Sequence, residues 1–480
     1  MKCLLVIPSW QPGEIFPVKT AASQVNYWQP LGTLMVAASL QRAGHEVRFL
    51  NGAFLGHAEI LQQAGKFGPS FIGLYATAFG WAGARRTARD LKRFFPGVFI
   101  AVGGPYPMAV RRQCLARCRW IDGVVTGEGE ITVVALVDRL AGGRPLEGVP
   151  GIVYRDGIEI RDNGDRELIT DLDSLPFPAR ELLGTPDRYI PAPATYRRRP
   201  VAVIMTSRGC DRKCIYCFQM DRSRKSGIRY RSIDNVLAEI ELCLAQGYRE
   251  IKFIDETLAA DYDRAMRLAA EITARRLDFT WFASACVNQV DRPLLQAFRR
   301  AGCWAILMGV ESGVQKNLNT LRKGITLAQV QRAVRTAREV GLRVFTPFLF
   351  GIPGETFAEG LETIRFACEL NPDVANFHCL TPFPGTDLHD NLEQYGTAVQ
   401  DLSAYTYQGA AFVPHTMRRE EILALRQLAF RKFYSRPGFL VRRIVGLRST
   451  GDLRAAVSGM RSLFWLWARE GIFRRGGLTG

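Results

Sequence analysis

Residues 206–220 read TSRGCDRKCIYCFQM, with Cys210, Cys214 and Cys217 at spacings of four and three and no fourth cysteine to complete the set. Thiolates spaced this way hold zinc or an iron–sulfur cluster, but structural zinc takes four protein ligands, usually one CxxC paired with another. A cluster held by three cysteines leaves one iron without a protein ligand, and an open iron can bind and reductively activate a substrate. Two alternatives stand beside it: zinc completed by a distant His or Cys, or three buried structural thiols.

Outward from this stretch, the run AVIMTS just before it begins a series of strands that continues with EIKFID, FTWFAS, AILMGV, VFTPFLF and VANFHCL. Helical stretches such as SIDNVLAEIELCLAQG and TLAQVQRAVRTAREVG separate them. Six βα units in succession predict a partial or complete β/α barrel over residues 200–400, with its chemistry at the carboxyl ends of the strands. Residues 1–140 alternate in shorter units (KCLLVIP, EVRFLNG, FIGLYATA, VFIAVGG, IDGVVTGEGE), which predicts a doubly wound parallel sheet. Between them, residues 141–199 are rich in Pro and Gly and read as a linker with a small hairpin. Residues 401–480 read as a basic helical region without β-alternation. The fold class is therefore α/β in two main domains.

At 480 residues, 47% hydrophobic and 23% charged, the composition is that of a multidomain globular protein, neither disordered nor integral to a membrane. The opening MKCLLVIPSW has too short an apolar run for a span and no small-residue cleavage site, so it reads as a first strand and the chain is expected in the cytoplasm. Eleven cysteines at irregular spacings argue for reduced thiols rather than a disulfide framework. The net charge of +17 is concentrated at the tail, where residues 418–475 hold fourteen Lys and Arg against four Asp and Glu. With Phe464, Trp465, Trp467 and Phe473 among those arginines, the tail reads as a helix packed on the barrel or as an amphipathic helix lying peripherally on the inner membrane face. No RNA-binding module accompanies the charge, so nucleic acid is not an expected partner.

The motif CDRKCIYC after the first barrel strand resembles the radical S-adenosylmethionine (SAM) superfamily. Further blocks, RYRSIDNVLAEIELCLAQGYREIKFIDETL, AGCWAILMGVESGVQKNLNTLRKGIT, FLFGIPGET and LTPFPGTDL, resemble the subclass with an N-terminal cobalamin-binding domain. The resemblance implies a [4Fe–4S] cluster on Cys210, Cys214 and Cys217, which chelates SAM and cleaves it reductively to a 5′-deoxyadenosyl radical. It also implies SAM contacts at Tyr216 and Phe218 near the adenine, Asp255 and Glu256 at the amine, Ser284, Asn288 and Glu311 around ribose and carboxylate, and a backbone shaped by Gly351, Pro353 and Gly354. DETL stands where many relatives have two acids followed by an asparagine or aromatic, so which acid receives the amine stays open.

For the first domain, the loops YATAFG, VGGPYP and GEGE resemble the cobalamin site, and the implied contacts are Thr77, Ala78, Phe79, Gly103, Gly104, Pro105, Gly127, Glu128, Gly129 and Glu130. PSWQPG replaces the DxHxxG motif that supplies histidine to cobalt in histidine-ligated cobalamin domains, so the lower face is expected without His, with Thr77, Ala78, Phe79 and Trp81 beneath the corrin. His57 reads as a surface or loop residue, Cys114 and Cys118 as buried thiols, and His378 and Cys379 as neighbours on opposite faces of a strand. The resemblance implies a methyltransferase, or an oxidative cyclase of the magnesium-protoporphyrin monomethyl ester type, acting on an apolar small molecule: a tetrapyrrole, an isoprenoid or hopanoid lipid, or a natural-product intermediate. It also implies an external electron donor of flavodoxin or ferredoxin type. The alternatives are a radical SAM enzyme with a vestigial first domain, and a non-enzymatic iron–sulfur or cobalamin sensor.

Overall fold

The computed structural model describes residues 1–11, 14, 27–221 and 226–445. Its first half is a sheet of β1 (Lys2–Ile7), β2 (Glu46–Asn51), β3 (Phe71–Tyr75), β4 (Phe99–Gly103), β5 (Gly123–Val125), β6 (Ile152–Asp156) and β7 (Glu159–Asp162). Strand order is β2-β1-β3-β4-β5-β6-β7. The first five strands run parallel, and β6 and β7 add antiparallel to β5. The hairpin read from the sequence as part of a linker thus continues the first sheet.

The unbroken apolar run of β1 follows from burial on both faces. Alternation sends Leu4 and Val6 into one core layer and Cys3 and Leu5 into the other. The order reverses between β1 and β3, the switch point at which open parallel sheets bind ligands.

The second half is a six-stranded parallel sheet, open rather than closed, in the order β15-β14-β13-β12-β11-β8. Its members are β8 (Val201–Ile204), β11 (Glu250–Phe253), β12 (Thr280–Ala285), β13 (Cys303–Met308), β14 (Arg343–Phe350) and β15 (Val374–Cys379). Between β8 and β11 lies a short ribbon of β9 (Ser207–Arg208) and β10 (Arg229–Tyr230). Helix starts are fixed locally: Asp261 and Asp291 cap their helices, and Thr326–Gln329 and Thr356–Glu359 form capping boxes. Outward strand residues such as Ile251, Phe253, Phe348 and Phe377 pack under these helices. Phe282, Trp304 and Phe345 plug the inside, and Glu250 accepts the Trp304 indole N–H at 3.0 Å.

The region after residue 400 is not purely helical: β17 (Phe412–Pro414) pairs antiparallel with β16 (Gly396–Ala398). Helix Arg419–Tyr434 then lies on the barrel through Ile422, Leu425, Ala429 and Phe433, with Leu425 filling the space where Gly360 has no side chain. No helix among the described residues is long and apolar enough to cross a membrane. The tail aromatics Phe464, Trp465, Trp467 and Phe473 lie outside the described residues.

Candidate functional site

The three cysteines lie on the loop after β8, and two local devices set its path. The Asp255 carboxylate, at the end of β11, accepts the backbone N–H of Thr206 at 3.0 Å, its hydroxyl at 2.8 Å and the Ser207 hydroxyl at 2.6 Å. Gly209 follows at φ +101°, and a Cβ there would lie 2.6 Å from the Gly227 carbonyl oxygen, so the loop needs glycine to turn. Beyond that turn Cys214 is buried, Cys210 half-buried and Cys217 exposed.

All eleven cysteines are free thiols. Partial desolvation by the surrounding chain, together with the neighbouring Cys214 and Cys210, pushes the Cys217 thiol up to about 11 although its surface is exposed. The three thiols are therefore within electrostatic reach of one another. Among the described residues no three His, Cys, Asp or Glu side chains converge as they would on one metal ion. A cubane cluster takes each thiolate on a separate iron, so a donor set of three uncommitted thiols on one loop fits it. Sequence reasoning did not single out Cys286, just past β12, whose charge both Cys210 and Cys214 sense.

The two acids expected at the amine have different surroundings. Asp255 is buried and committed to the loop. Glu256 is exposed at the mouth and makes no ion pair among the described residues. The concave surroundings and neighbouring Asp255 push its carboxyl up, while both Cys210 and Cys217 sense its charge. Of the pair, Glu256 is the carboxylate available to an incoming cation.

Glu311 is buried at φ +72°, with its carboxylate 2.7 Å from the Lys323 ammonium, which also donates to the Tyr216 hydroxyl at 3.3 Å. A Cβ on Gly309 would lie 2.6 Å from that ammonium, so the glycine makes room for the pair. Cys214 feels Lys323 as well, which places a buried cation beside the thiols. Lys323 sits in the LRKGIT segment and carries no periodicity or spacing signal of its own.

Asn288 accepts from Arg212 of the cysteine loop at 3.0 Å, and Ser284 is half-buried on the inner side of β12. Gly351 and Pro353 are buried, and the turn they form is wrapped on Glu355, which accepts the Gly351 N–H at 2.7 Å.

At the carboxyl ends of the first sheet, bare backbone forms a shallow bed. The position of a Cβ on Gly103 would have only Val125 near it, at 3.9 Å, and one on Gly127 nothing within 4 Å. Gly104 sits at φ +106°, where a Cβ would lie 2.6 Å from the Ala76 carbonyl oxygen, and Pro105 opens the next helix. Such a bed fits a large planar ring with its substituents.

Phe79 is half-buried, Thr77 accepts the Gly80 N–H at 3.0 Å, and Ala78 and Trp81 are packed into the core, Trp81 against Tyr106. Tyr75, passed over in the sequence, is exposed at the strand end and its ring lies against Gly104. The two histidines of this domain are engaged elsewhere, His45 by Asp138 and His57 by Asp90. Cys114 and Cys118 are buried.

The GEGE loop joins the two halves. Glu128 and Glu130 receive Arg208 at 2.7 and 2.6 Å, and Glu128 also receives Arg229 at 2.9 Å. Gly129, between them, packs closely on Val36, which would lie 3.1 Å from a Cβ at that position. On the other side of the loop, Phe218 and Ala109 of helix Pro105–Val110 both press on Gly385, within 2.9 and 3.0 Å of where its Cβ would be. The cysteine loop and the first helix after Gly104 thus meet at Gly385.

Residues 204–367 match the radical SAM superfamily and residues 18–137 the B12 binding domain. The chain is 33% identical to an uncharacterized methyltransferase of Pyrococcus horikoshii, across 92% of this chain and 95% of that one. It is 27% identical to the anaerobic magnesium-protoporphyrin IX monomethyl ester cyclase of Rubrivivax gelatinosus, across 92% of this chain and 78% of the relative. The solved structure of the radical SAM methyltransferase TsrM of Kitasatospora setae shares the fold, with a TM-score of 0.69 at 19% identity over 91% of this chain and 89% of that one. The first match implies a [4Fe–4S] cluster and SAM, and the second implies cobalamin. With both domains matched and a relative aligned along nearly its whole length, the chain belongs to the radical SAM superfamily, among its cobalamin-dependent methyltransferases and cyclases.

Proposed function

We propose that this enzyme moves a methyl group from SAM, by way of cobalamin, to an unactivated carbon of an apolar small molecule. When bound, the cluster and SAM supply reductive bond cleavage and cobalamin supplies the methyl carrier. Cys210, Cys214 and Cys217 hold the cluster, and Glu256 receives the SAM ammonium. Glu311, oriented by Lys323, meets the ribose together with Ser284 and Asn288. The backbone at Gly103, Gly104 and Gly127 beds the corrin, with Tyr75, Thr77 and Phe79 around it.

The observation that supports this reading is the meeting of Phe218 and Ala109 at Gly385, which brings the cysteine loop to the helix that begins beside the first domain's glycine turn. Exposed apolar side chains near the strand ends, Ile254, Met220, Tyr75 and Tyr407, favour an apolar substrate. A tetrapyrrole, an isoprenoid or hopanoid lipid and a natural-product intermediate all meet that description. Electrons come from an external flavodoxin or ferredoxin. Oxidative ring closure is the second reading, supported by the likeness to the cyclase along 92% of this chain.

The test is anaerobic incubation of the reconstituted enzyme with SAM, a reductant and a solvent extract of the source cells, with products separated by mass. A gain of one CH2 per turnover supports methyl transfer. Loss of hydrogen or gain of oxygen without CH2 supports the second reading, and SAM cleavage with no new product defeats both.

A further inference from the structure

His378 is used neither by the cluster loop nor by the residues around SAM. Alternation along β15 turns Phe377 and Cys379 into the core under helix Arg419–Tyr434 and His378 to the inner side of the sheet. Its Nδ1 is buried without a hydrogen-bond partner, and Nε2 has none among the described residues either. A buried ring nitrogen left unpaired in a native fold is uncommon enough to need a reason.

The surroundings say what the ring faces. Its centroid lies 5.5 Å from that of Tyr407, and Tyr407 lies 5.6 Å from Phe383, a residue packed against the first domain's core. Tyr407 also senses the charge of Cys217. His378 therefore stands at the junction of the cluster loop and the first domain. Burial, with a smaller contribution from the Arg426 guanidinium, which donates to the Phe377 carbonyl oxygen at 3.0 Å, lowers its pKa to about 4. The imidazole is neutral. A neutral imidazole offers one N–H donor, and Nε2, the nitrogen not enclosed by protein, is the one open to a ligand.

We infer that His378, flanked by Tyr407, is a specificity residue whose Nε2–H grips a carbonyl or carboxylate on the otherwise apolar substrate and so selects the carbon presented at the junction. The inference rests on the methyl-transfer reading and adds to it a polar handle on the substrate. A site that donates to such a group discriminates against analogues that lack it, because the donor then loses its partner.

The experiment compares wild-type holoenzyme with His378→Phe and His378→Gln, with the same solvent extract as probe. Gln carries an amide N–H where the imidazole Nε2–H stood, and Phe fills the space without a donor. Both variants are expected to retain wild-type iron, sulfide and cobalamin and the SAM cleavage seen without extract. His378→Phe is expected to lose roughly tenfold or more of the CH2-gain product at low extract concentration, while His378→Gln recovers most of it. A Phe variant with wild-type yield and concentration dependence overturns the inference and leaves the methyl-transfer reading intact. So does a Gln variant no better than Phe, since the ring then matters only for packing. A wild-type enzyme that forms no CH2-gain product defeats the underlying reading, and the inference falls with it.

Discussion

Asp255 and Glu256 are adjacent in sequence, yet strand geometry sends one into the protein and the other into the mouth. No spacing rule could have divided them, because the partners of Asp255 are hydroxyls and an amide 48 and 49 positions earlier in the chain. Lys323 was hidden for a similar reason: what makes it notable is its burial against Glu311 and Tyr216, which only the fold supplies. The cysteines were legible because their spacing is local. Cys286 was not, since it joins them only through the register of β12, and it allows a direct test of the open iron. If Cys286 were a fourth ligand, both Cys214→Ala and Cys286→Ala would cost iron. With an open iron, wild type and Cys286→Ala should each reconstitute to about four iron and four sulfide per chain, while Cys214→Ala loses the cluster and 5′-deoxyadenosine formation. Iron and sulfide assays with the anaerobic absorbance spectrum decide it, and stoichiometric zinc without iron absorbance sinks the cluster altogether.

Among the elements, the alternation of strands and helices was readable from period alone, and the openness of the barrel was left undecided by it. The placement of β6 and β7 on the first sheet was not readable, because a hairpin's own sequence does not say which edge it joins. The same limit applies to the GEGE loop: its glycines were recognisable, but its acids turn out to bind Arg208 and Arg229, 80 and 101 positions away. Removing one partner of such a buried set costs about 3–5 kcal/mol by leaving a charge unpaired, so the loop fixes the orientation of the two halves whatever it does for the corrin. The bed itself is best tested at Gly103, whose φ is ordinary and which faces open space. Gly103→Trp should abolish cobalamin retention after anaerobic refolding while leaving iron and sulfide unchanged; wild-type retention of cobalamin by the variant would place the corrin elsewhere. The turn after β14 offers a different measurement. Burial raises the Glu355 carboxyl to about 8 against the N–H bonds from Gly351 and Ile352, which favour its ionised form. Between the ordinary carboxylate range and that value the folded chain keeps a proton that the unfolded chain has released. Stability should therefore fall as pH rises from about 5 to 8, by at most about 1.4 kcal/mol per unit from this group. Glu355→Gln should flatten that slope in urea unfolding curves, and an unchanged slope would mean that Glu355 is ionised in the fold.

For the whole molecule, the charge of +17 raises a question that the two cofactor domains do not answer. Helix Arg419–Tyr434 accounts for the first part of the basic region: its apolar face is consumed by the barrel, so it has none left for a membrane. What remains is residues 446–480, with six arginines, two acids and the aromatics Phe464, Trp465, Trp467 and Phe473. If this segment serves an apolar, membrane-resident substrate, it should hold the enzyme at an anionic surface. Apolar insertion and headgroup attraction would act together, the second worth about 1 kcal/mol per basic residue near the surface and weakened by salt. Truncation after residue 450 removes most of these groups and leaves the described strand ends and the Arg419–Tyr434 helix in place. Full-length enzyme should then sediment with phosphatidylserine-containing vesicles more than the truncated form does, and the difference should shrink as salt rises. Equal indifference of both forms to vesicles would assign the tail to packing, and the substrate would then have to reach the barrel mouth from solution rather than from a bilayer.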